Sequence, residues 1–311
     1  MVPWGGETMT TLQVTPLSPV LGAEVRGVNL AAGLDDETFE AIHAAWLRYG
    51  VLFFKDQPEP MAEAVQTAFG RRFGDLHVHP AAPGSGEGNA IFVIHCHRDS
   101  KVANGNGWHS DVSCEDEPPM ATMLQLRQLP PSGGGDTMFA SMEAAYAVLS
   151  DEDQAVLKGL SAWHTSEHIF RGRYSDRGVD DDGKTYPKAL HPVVRTHPET
   201  GRPSLYINRA FTTALEGLDP EAGEALLSRL LRHVERPEFQ IRYRWSQFDT
   251  ALWDNRSLQH YALWDYWPEE RLGHRVTMAG DKPYFDPRAP GPEPSSIRMK
   301  VQSLGLPRQA A

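Results

Sequence analysis

Two short stretches of this chain carry side chains that could hold a metal: Trp108-His109-Ser110-Asp111 and, about half a chain later, Trp253-Asp254-Asn255-Arg256-Ser257-Leu258-Gln259-His260. If the first is a strand, His109 and Asp111 point to the same face, because side chains alternate with a period of two. One imidazole and one carboxylate then share a wall. A third ligand from a distant segment would complete a two-histidine, one-carboxylate set, which binds non-haem Fe(II) on three sites and leaves three open for substrates and O2. His260 is the candidate. An H-x-D pair alone carries little, since a chain of 311 residues with 13 histidines contains such pairs by chance.

The elements that must position these groups follow from periodicity and punctuation. Leu12 to Val28 alternates as a strand or hairpin, with Gly22 and Gly27 as turn or bulge points. Asp35-Asp36-Glu37 opens a helix that runs to Tyr49 and is capped by Gly50, with Phe39, Ile42, Trp46 and Tyr49 on one face. Val51 to Phe54 is a short apolar strand and Met61 to Phe73 a second amphipathic helix. Ala81 to Asn89 is a loop, Ile91 to Ile94 a strand, and Asp99 to Gly107 a polar, Gly-rich loop placed like a lid before the first ligand segment. Met120 to Leu129 reads as a strand, Pro130 to Gly135 as a turn, and Ser141 to Leu160 as helix broken near Ser150-Asp151.

Between His168 and Leu190 periodicity is lost, which predicts a long flexible insertion over the pocket. His191 to Thr196 and Ser204 to Asn208 form a hairpin across Pro198-Glu199-Thr200-Gly201, and Pro220 to Val234 is a helix. Ile241 to Trp245, Thr250 to Trp253 and Arg275 to Ala279 supply the last strands. Many short strands, with helices gathered at the start and in insertions, predict an α+β protein built on a jelly-roll sandwich. One domain over 11–286 is expected, between a loose leader at 1–10 and a tail at 287–311 that wraps the surface, packs on a neighbouring subunit or is disordered.

A formal net charge of -11 excludes non-specific nucleic-acid binding, which needs clustered Lys and Arg. Any anionic substrate must be met by locally placed cations. Two cysteines, Cys96 and Cys114, make no disulfide framework and lack the second half of a zinc site, so reduced cytoplasmic thiols are expected. No apolar run approaches the ~20 residues that span a bilayer, and no secretory leader is visible, so a soluble, cytoplasmic protein is expected.

Further residues fall in order around the two ligand stretches. Gly134-Gly135-Asp136-Thr137 puts Thr137 28 residues after His109, and Arg271 and Arg275 lie 11 and 15 residues beyond His260. H-x-D, then G-G-D-T, then W-D-N-R-x-x-Q-H, then R-x-x-x-R resembles the taurine/alpha-ketoglutarate dioxygenase family, from about Val14 to Asp286. Thr15-Pro16-Leu17, Val51-Leu52-Phe53-Phe54-Lys55-Asp56-Gln57 and Phe73-Gly74-Asp75-Leu76-His77-Val78-His79-Pro80 match it in style.

The resemblance implies a double-stranded β-helix with flanking helices and the metal at its open mouth. It implies Fe(II) on His109, Asp111 and His260, with 2-oxoglutarate as cosubstrate and O2 consumed. An arginine suits the distal carboxylate of 2-oxoglutarate because its fork bonds both oxygens; by the family pattern this is Arg271, assisted by Thr137. By the same pattern Arg275 and His79 grip the anionic end of a small organic substrate, with Val112, Phe170 and Phe211 at other pocket positions. Asn255 and Gln259 are expected to support the His260 segment by hydrogen bonds. A homo-oligomer, dimer or tetramer, is implied as well.

Two departures from the taurine-type pattern, Ala82 for an aromatic and Gly105 for an asparagine, predict a wider pocket with less polar recognition at the substrate's far end. The expected reaction is hydroxylation of the carbon next to a sulfonate, sulfate ester or ether oxygen, followed by collapse to an aldehyde or keto product. The alternatives are an aryloxyalkanoate, amino-acid or natural-product hydroxylase, a non-catalytic 2-oxoglutarate-binding jelly roll, and a hydrolytic zinc enzyme.

Overall fold

The structure, a computed structural model, describes residues 12–79, 90–173, 175, 178–290 and 304–305. The leader at 1–10, the loop over Ala81–Asn89 with its Ala82 departure, and most of the tail lie outside the described residues.

The chain begins with an antiparallel pair, β1 (Gln13–Pro16) and β2 (Ala23–Arg26). Helix α1 (Asp36–Tyr49) starts where the Asp35 carboxylate accepts from the Thr38 amide and stops at Gly50, whose φ of 73° suits a residue without Cβ. Strand β3 (Val51–Phe54) and helix α2 (Glu63–Arg71) follow, then β4 (Phe92–Cys96), β5 (Ala121–Gln128) and β6 (Thr137–Ser141). Helices α3 (Met142–Ala147) and α4 (Asp151–Leu157) are separated at Ser150, whose hydroxyl caps the second of them. Next come β7 (Ser161–Thr165), the one-turn α5 (Glu167–Phe170), β8 (Lys188–Pro192), β9 (Val194–Thr196), β10 (Pro203–Leu205) and β11 (Thr212–Leu215). Helix α6 (Pro220–Val234), β12 (Gln240–Tyr243), β13 (Thr250–Asp254), β14 (Leu258–Ala262) and β15 (Arg271–Met278) complete the order.

Seven strands pair in the order β1-β2-β3-β13-β5-β15-β4, and three more in the order β12-β6-β14. Alternation along the large sheet sends its two faces to different cores. Leu52, Phe54, Met123, Leu252 and Val276 pack against Phe39, Ile42 and Trp46 of α1 and Phe69 of α2. Val51, Phe53, Leu124, Leu126, Ala251 and Trp253 face the small sheet and meet Phe139, Tyr243 and Leu258. A third core joins α3, α4 and α6 to the strands between them. The fold is thus α+β, with the ligand strand β14 in the small sheet and the arginine strand β15 in the large one.

Several sequence expectations need correction. Residues 109–111 are not a strand: His109 makes one bridge to His260 and the chain then turns at Asp111. The expected hairpin from His191 is divided, since His191 belongs to β8, opposite Ala162, while Val194–Thr196 pairs with β10. Strands β6, β7, β11 and β14 were not foreseen. They are short and rich in Ser, Thr, Gln and His, and β14 is buried at Leu258, Gln259 and His260 in succession, so it shows no period of two. Just before the tail, Tyr284 O accepts from the Thr196 amide, and within it the Leu304 amide donates to Asp153 Oδ2 at 2.6 Å. Residues 284 and 304 therefore lie against the body.

Candidate active site

The backbones of His109 and His260 exchange two hydrogen bonds, of 3.0 and 2.8 Å, which set the imidazoles side by side with ring centroids 4.1 Å apart. The Ser110 hydroxyl donates to Leu258 O at 2.7 Å and fastens the same two segments again. Asp111 enters through the following turn, where Val112 holds a φ of 41°, a strained value for a β-branched residue. Its Oδ1 lies 3.8 Å from His109 Nε2 and 3.9 Å from His260 Nε2. One ligand atom from each of the three residues lies within 4.8 Å of the others.

Neighbours fix the orientation of all three. His109 Nδ1 must carry its proton, because its partner is Gly107 O at 2.8 Å, and this leaves the Nε2 lone pair facing Asp111. Asp111 Oδ2 accepts from Thr122 Oγ1 at 2.7 Å and Oδ1 from Arg275 Nη1 at 2.9 Å. Asn255 accepts from the Asp111 amide and from Trp253 Nε1, and donates to Thr122 Oγ1, closing a circuit behind the carboxylate. His260 packs on the rings of Trp253 and Phe139.

Burial pushes both imidazoles below their ordinary pKa, for His109 against the pull of Asp111. Burial alone would raise Asp111, but Arg275, the two imidazoles and the Thr122 hydroxyl outweigh it and hold the carboxyl well below its usual range. Two neutral nitrogen donors and one carboxylate oxygen are the donor set a divalent cation takes.

The rest of the W-D-N-R motif supports the turn between β13 and β14. Asp254 accepts from His197 Nε2 at 2.9 Å and from Arg256 Nη2 at 2.7 Å, and Arg256 Nη1 reaches Glu199 at 2.7 Å. Gln259 departs from expectation, because neither atom of its buried amide has a hydrogen-bond partner among the described residues.

Arg271 is buried on β15. It spends Nε on Gly135 O at 3.1 Å and stands 5.8 Å over the Trp245 ring, whose Nε1 donates to Thr137 Oγ1 at 3.0 Å. Its Nη2 has no partner, and among the described residues no carboxylate lies within ion-pair distance. A buried guanidinium in this condition calls for an anion from outside.

Beside the metal group lies a cavity of about 150 Å³ lined by His79, Phe92, Val112, Ile169, Phe170 and Phe211, with residues 103–107, Arg173, Ala210 and Arg275, and with His109 and Asp111 at its wall. All five residues expected at the substrate, His79, Val112, Phe170, Phe211 and Arg275, thus come together on one cavity. Thr137 and Arg271 are not part of its wall. His79 stacks on Phe92 and meets Phe170 edge-on, and burial, reinforced by Arg275, pushes its pKa down to about 3, so the imidazole is neutral.

Gly105 does not leave the open space that its missing side chain was expected to give. A Cβ there would stand 3.2 Å from His109 Cε1 and 3.5 Å from Ala262, and its φ of 77° disfavours any other residue. The glycine lets the loop close on the ligand ring. Sequence reasoning missed Thr122, Trp245 and Arg173; a strand threonine and a core tryptophan carry no local signal, and Arg173 lies in an aperiodic stretch. Cys96 and Cys114 are free and buried, and burial pushes the Cys114 thiol up to about 12. Among the described residues no helix is long and apolar enough to cross a membrane.

Comparison with known proteins shows what the chain is similar to. Residues 13–277 match the family model described as taurine catabolism dioxygenase TauD, TfdA family. The chain is 34% identical over 279 residues to an alkylsulfatase of Acinetobacter baylyi, covering 87% of this chain and 86% of that protein. It is 35% identical over 282 residues to an (S)-phenoxypropionate/alpha-ketoglutarate-dioxygenase of Sphingobium herbicidovorans, covering 86% and 95%. The crystal structure of a taurine dioxygenase from Burkholderia xenovorans superposes with a TM-score of 0.74 at 33% identity, covering 90% of this chain and 94% of that one.

Proposed function

This chain belongs to the taurine catabolism dioxygenase TauD, TfdA family, and from that premise we propose that it is an Fe(II)- and 2-oxoglutarate-dependent dioxygenase acting on small sulfate esters or sulfonates. The observation that carries the reading is the convergence of His109, Asp111 and His260, the first two of them at the wall of a cavity that also presents Arg275 and three phenylalanine rings. The two facing sheets are read as the halves of the family's double-stranded β-helix.

His109, Asp111 and His260 would hold the iron. Arg271, with its unpartnered Nη2, and the Thr137 hydroxyl would take the distal carboxylate of 2-oxoglutarate. With both bound, the centre would supply, with O2 as the oxidant, oxidative decarboxylation of 2-oxoglutarate to succinate and CO2 coupled to hydroxylation of a substrate carbon, one oxygen atom going to each product. The chain's own part is positioning and exclusion of water. Arg275 gives one Nη to Asp111 and has no partner for Nε, so it can hold the ligand carboxylate and a substrate anion together. Neutral His79 adds a hydrogen bond without adding charge. Phe170, Phe211 and Ile169 shed water around an alkyl chain. Hydroxylation of the carbon bearing the sulfate oxygen gives a hemiacetal-like ester, whose C–O bond breaks as the new hydroxyl loses its proton, releasing an aldehyde and sulfate; a sulfonate hydroxylated on the carbon bearing sulfur breaks its C–S bond instead and releases an aldehyde and sulfite.

A second reading, an aryloxyalkanoate substrate, is favoured by the aromatic rings of the cavity and by the phenoxypropionate relative. Succinate formation coupled to loss of hexyl sulfate, alkylsulfonates, aryloxyalkanoates or taurine tests both. Hexyl sulfate or a longer sulfonate is expected to outrun taurine, with sulfate or sulfite released in step with succinate. Taurine as clearly the best substrate contradicts the expected preference for a longer or sulfate-bearing chain, and no succinate with any compound contradicts the enzyme.

A further inference from the structure

We propose that Arg173 is a specificity-determining residue that gives this cavity a second cationic contact for the acidic group of its substrate. The proposal rests on the function just given. Arg173 lies three residues beyond Phe170, past the end of α5, and lines the same cavity as Arg275 and the metal group. Its guanidinium is held by the loop before His109: Nη2 donates to Ala103 O at 2.8 Å and to Asn104 Oδ1 at 3.2 Å, and Nε to Asn104 Oδ1 at 3.3 Å.

All of these acceptors are neutral. Among the described residues no carboxylate pairs with Arg173, and nothing accepts from its Nη1. Arg275 differs, since Asp111 at 2.9 Å already offsets its charge. Of the two arginines on the cavity, Arg173 is therefore the one whose charge no protein group balances, and it is pre-oriented by three hydrogen bonds. Fixing a planar donor before the ligand arrives lowers the ordering cost of binding. The anion then bridges Arg275 on the metal side and Arg173 on the loop side, and the cavity selects for acidic substrates.

The test compares wild type with Arg173→Gln, which removes the charge, and Asn104→Ala, which removes two of the three anchoring bonds and keeps it. For each protein one measures kcat and KM for hexyl sulfate, KM for 2-oxoglutarate, and Ki for neutral hexyl methyl ether as competitor. Arg173→Gln is expected to raise KM for hexyl sulfate about 10- to 100-fold, with kcat and the 2-oxoglutarate KM within about twofold and the ether Ki unchanged. Asn104→Ala is expected to change the hexyl sulfate KM by less than about fivefold.

An equal rise of KM in Asn104→Ala, or a parallel loss of ether binding in Arg173→Gln, would reduce Arg173 to a loop tether and overturn the assignment. An unchanged hexyl sulfate KM in an active Arg173→Gln protein overturns it while leaving the proposed function intact. Wild-type protein that turns over no member of the substrate panel removes the functional reading, and this one with it.

Discussion

The metal group and the cavity rim lie within one site but are held in different ways. Around Asp111 the partners close on one another: Thr122 from β5, Asn255 from the turn after β13, Arg275 from β15, and His260 from β14 through its backbone pair with His109. Three strands of two sheets, with the turn after a fourth, are tied to the segment that carries this carboxylate. The rim is carried by residues 103–107, by the turn of α5 with Arg173, and by Ala210 and Phe211, where few bonds reach the sheets. A change at the floor must propagate through several strands, whereas a change at the rim need move only its own loop. Chemistry and substrate choice can therefore vary independently on this fold.

The comparison sharpens most at Arg271. Arg271→Gln removes the buried guanidinium offered to 2-oxoglutarate, and the 2-oxoglutarate KM should rise about 100-fold with little change in substrate KM. Equal rises in both would merge the two regions into one. Thr122→Val breaks the circuit behind Asp111 while keeping the shape of the side chain. Iron affinity, read by competition with a chelator, should fall about 10- to 100-fold, the usual cost of losing a hydrogen bond to a metal ligand.

The junction between the regions is the segment after Asp111, and buried histidines clamp it. His164 Nδ1 lies 3.0 Å from Ser113 Oγ, and His191 Nε2 donates to Ser113 O and Glu115 O at 3.0 Å. Burial pushes His164 down to about 3 and His191 down to about 4. The unfolded chain, with ordinary histidines near 6.5, binds protons that the folded chain refuses. Stability is thus full above about pH 6.5 and falls as pH drops from there toward 4, by at most about 1.4 kcal/mol per pH unit for each histidine. The melting temperature should decline over this range, and His191→Gln should decline less steeply than wild type. Identical slopes would mean that the clamp does not set the acid limit.

The smallest effect is expected at the rim. Phe170→Ala should weaken a long alkyl sulfate about tenfold, shorter substrates less, and iron binding not at all. A loss of iron affinity in this variant would break the distinction.

What could be read from sequence follows the same division. Helices α1 and α6 were legible at both ends, because acidic caps, Gly50 and a Pro at the first turn state their ends in local chemistry. The three candidate ligands that the structure brings together were picked out by residue type and order, although the geometry expected for His109 and Asp111 was not, since a bridge followed by a turn brings them together where an alternating strand was expected. Strand β14 stayed hidden because burial on both faces erases alternation. Thr122, Trp245 and Arg173 stayed hidden because their roles exist only between segments far apart in the chain. The room expected at Gly105 is filled by His109, a contact that no spacing rule expresses.

The most direct test of the central claim is anaerobic addition of Fe(II) and 2-oxoglutarate, followed by visible absorption. Protein in which His109, Asp111 and His260 hold iron beside Arg271 should develop a weak metal-to-ligand charge-transfer band that hexyl sulfate shifts and that His109→Ala lacks. Folded, iron-loaded protein without the band would contradict the account.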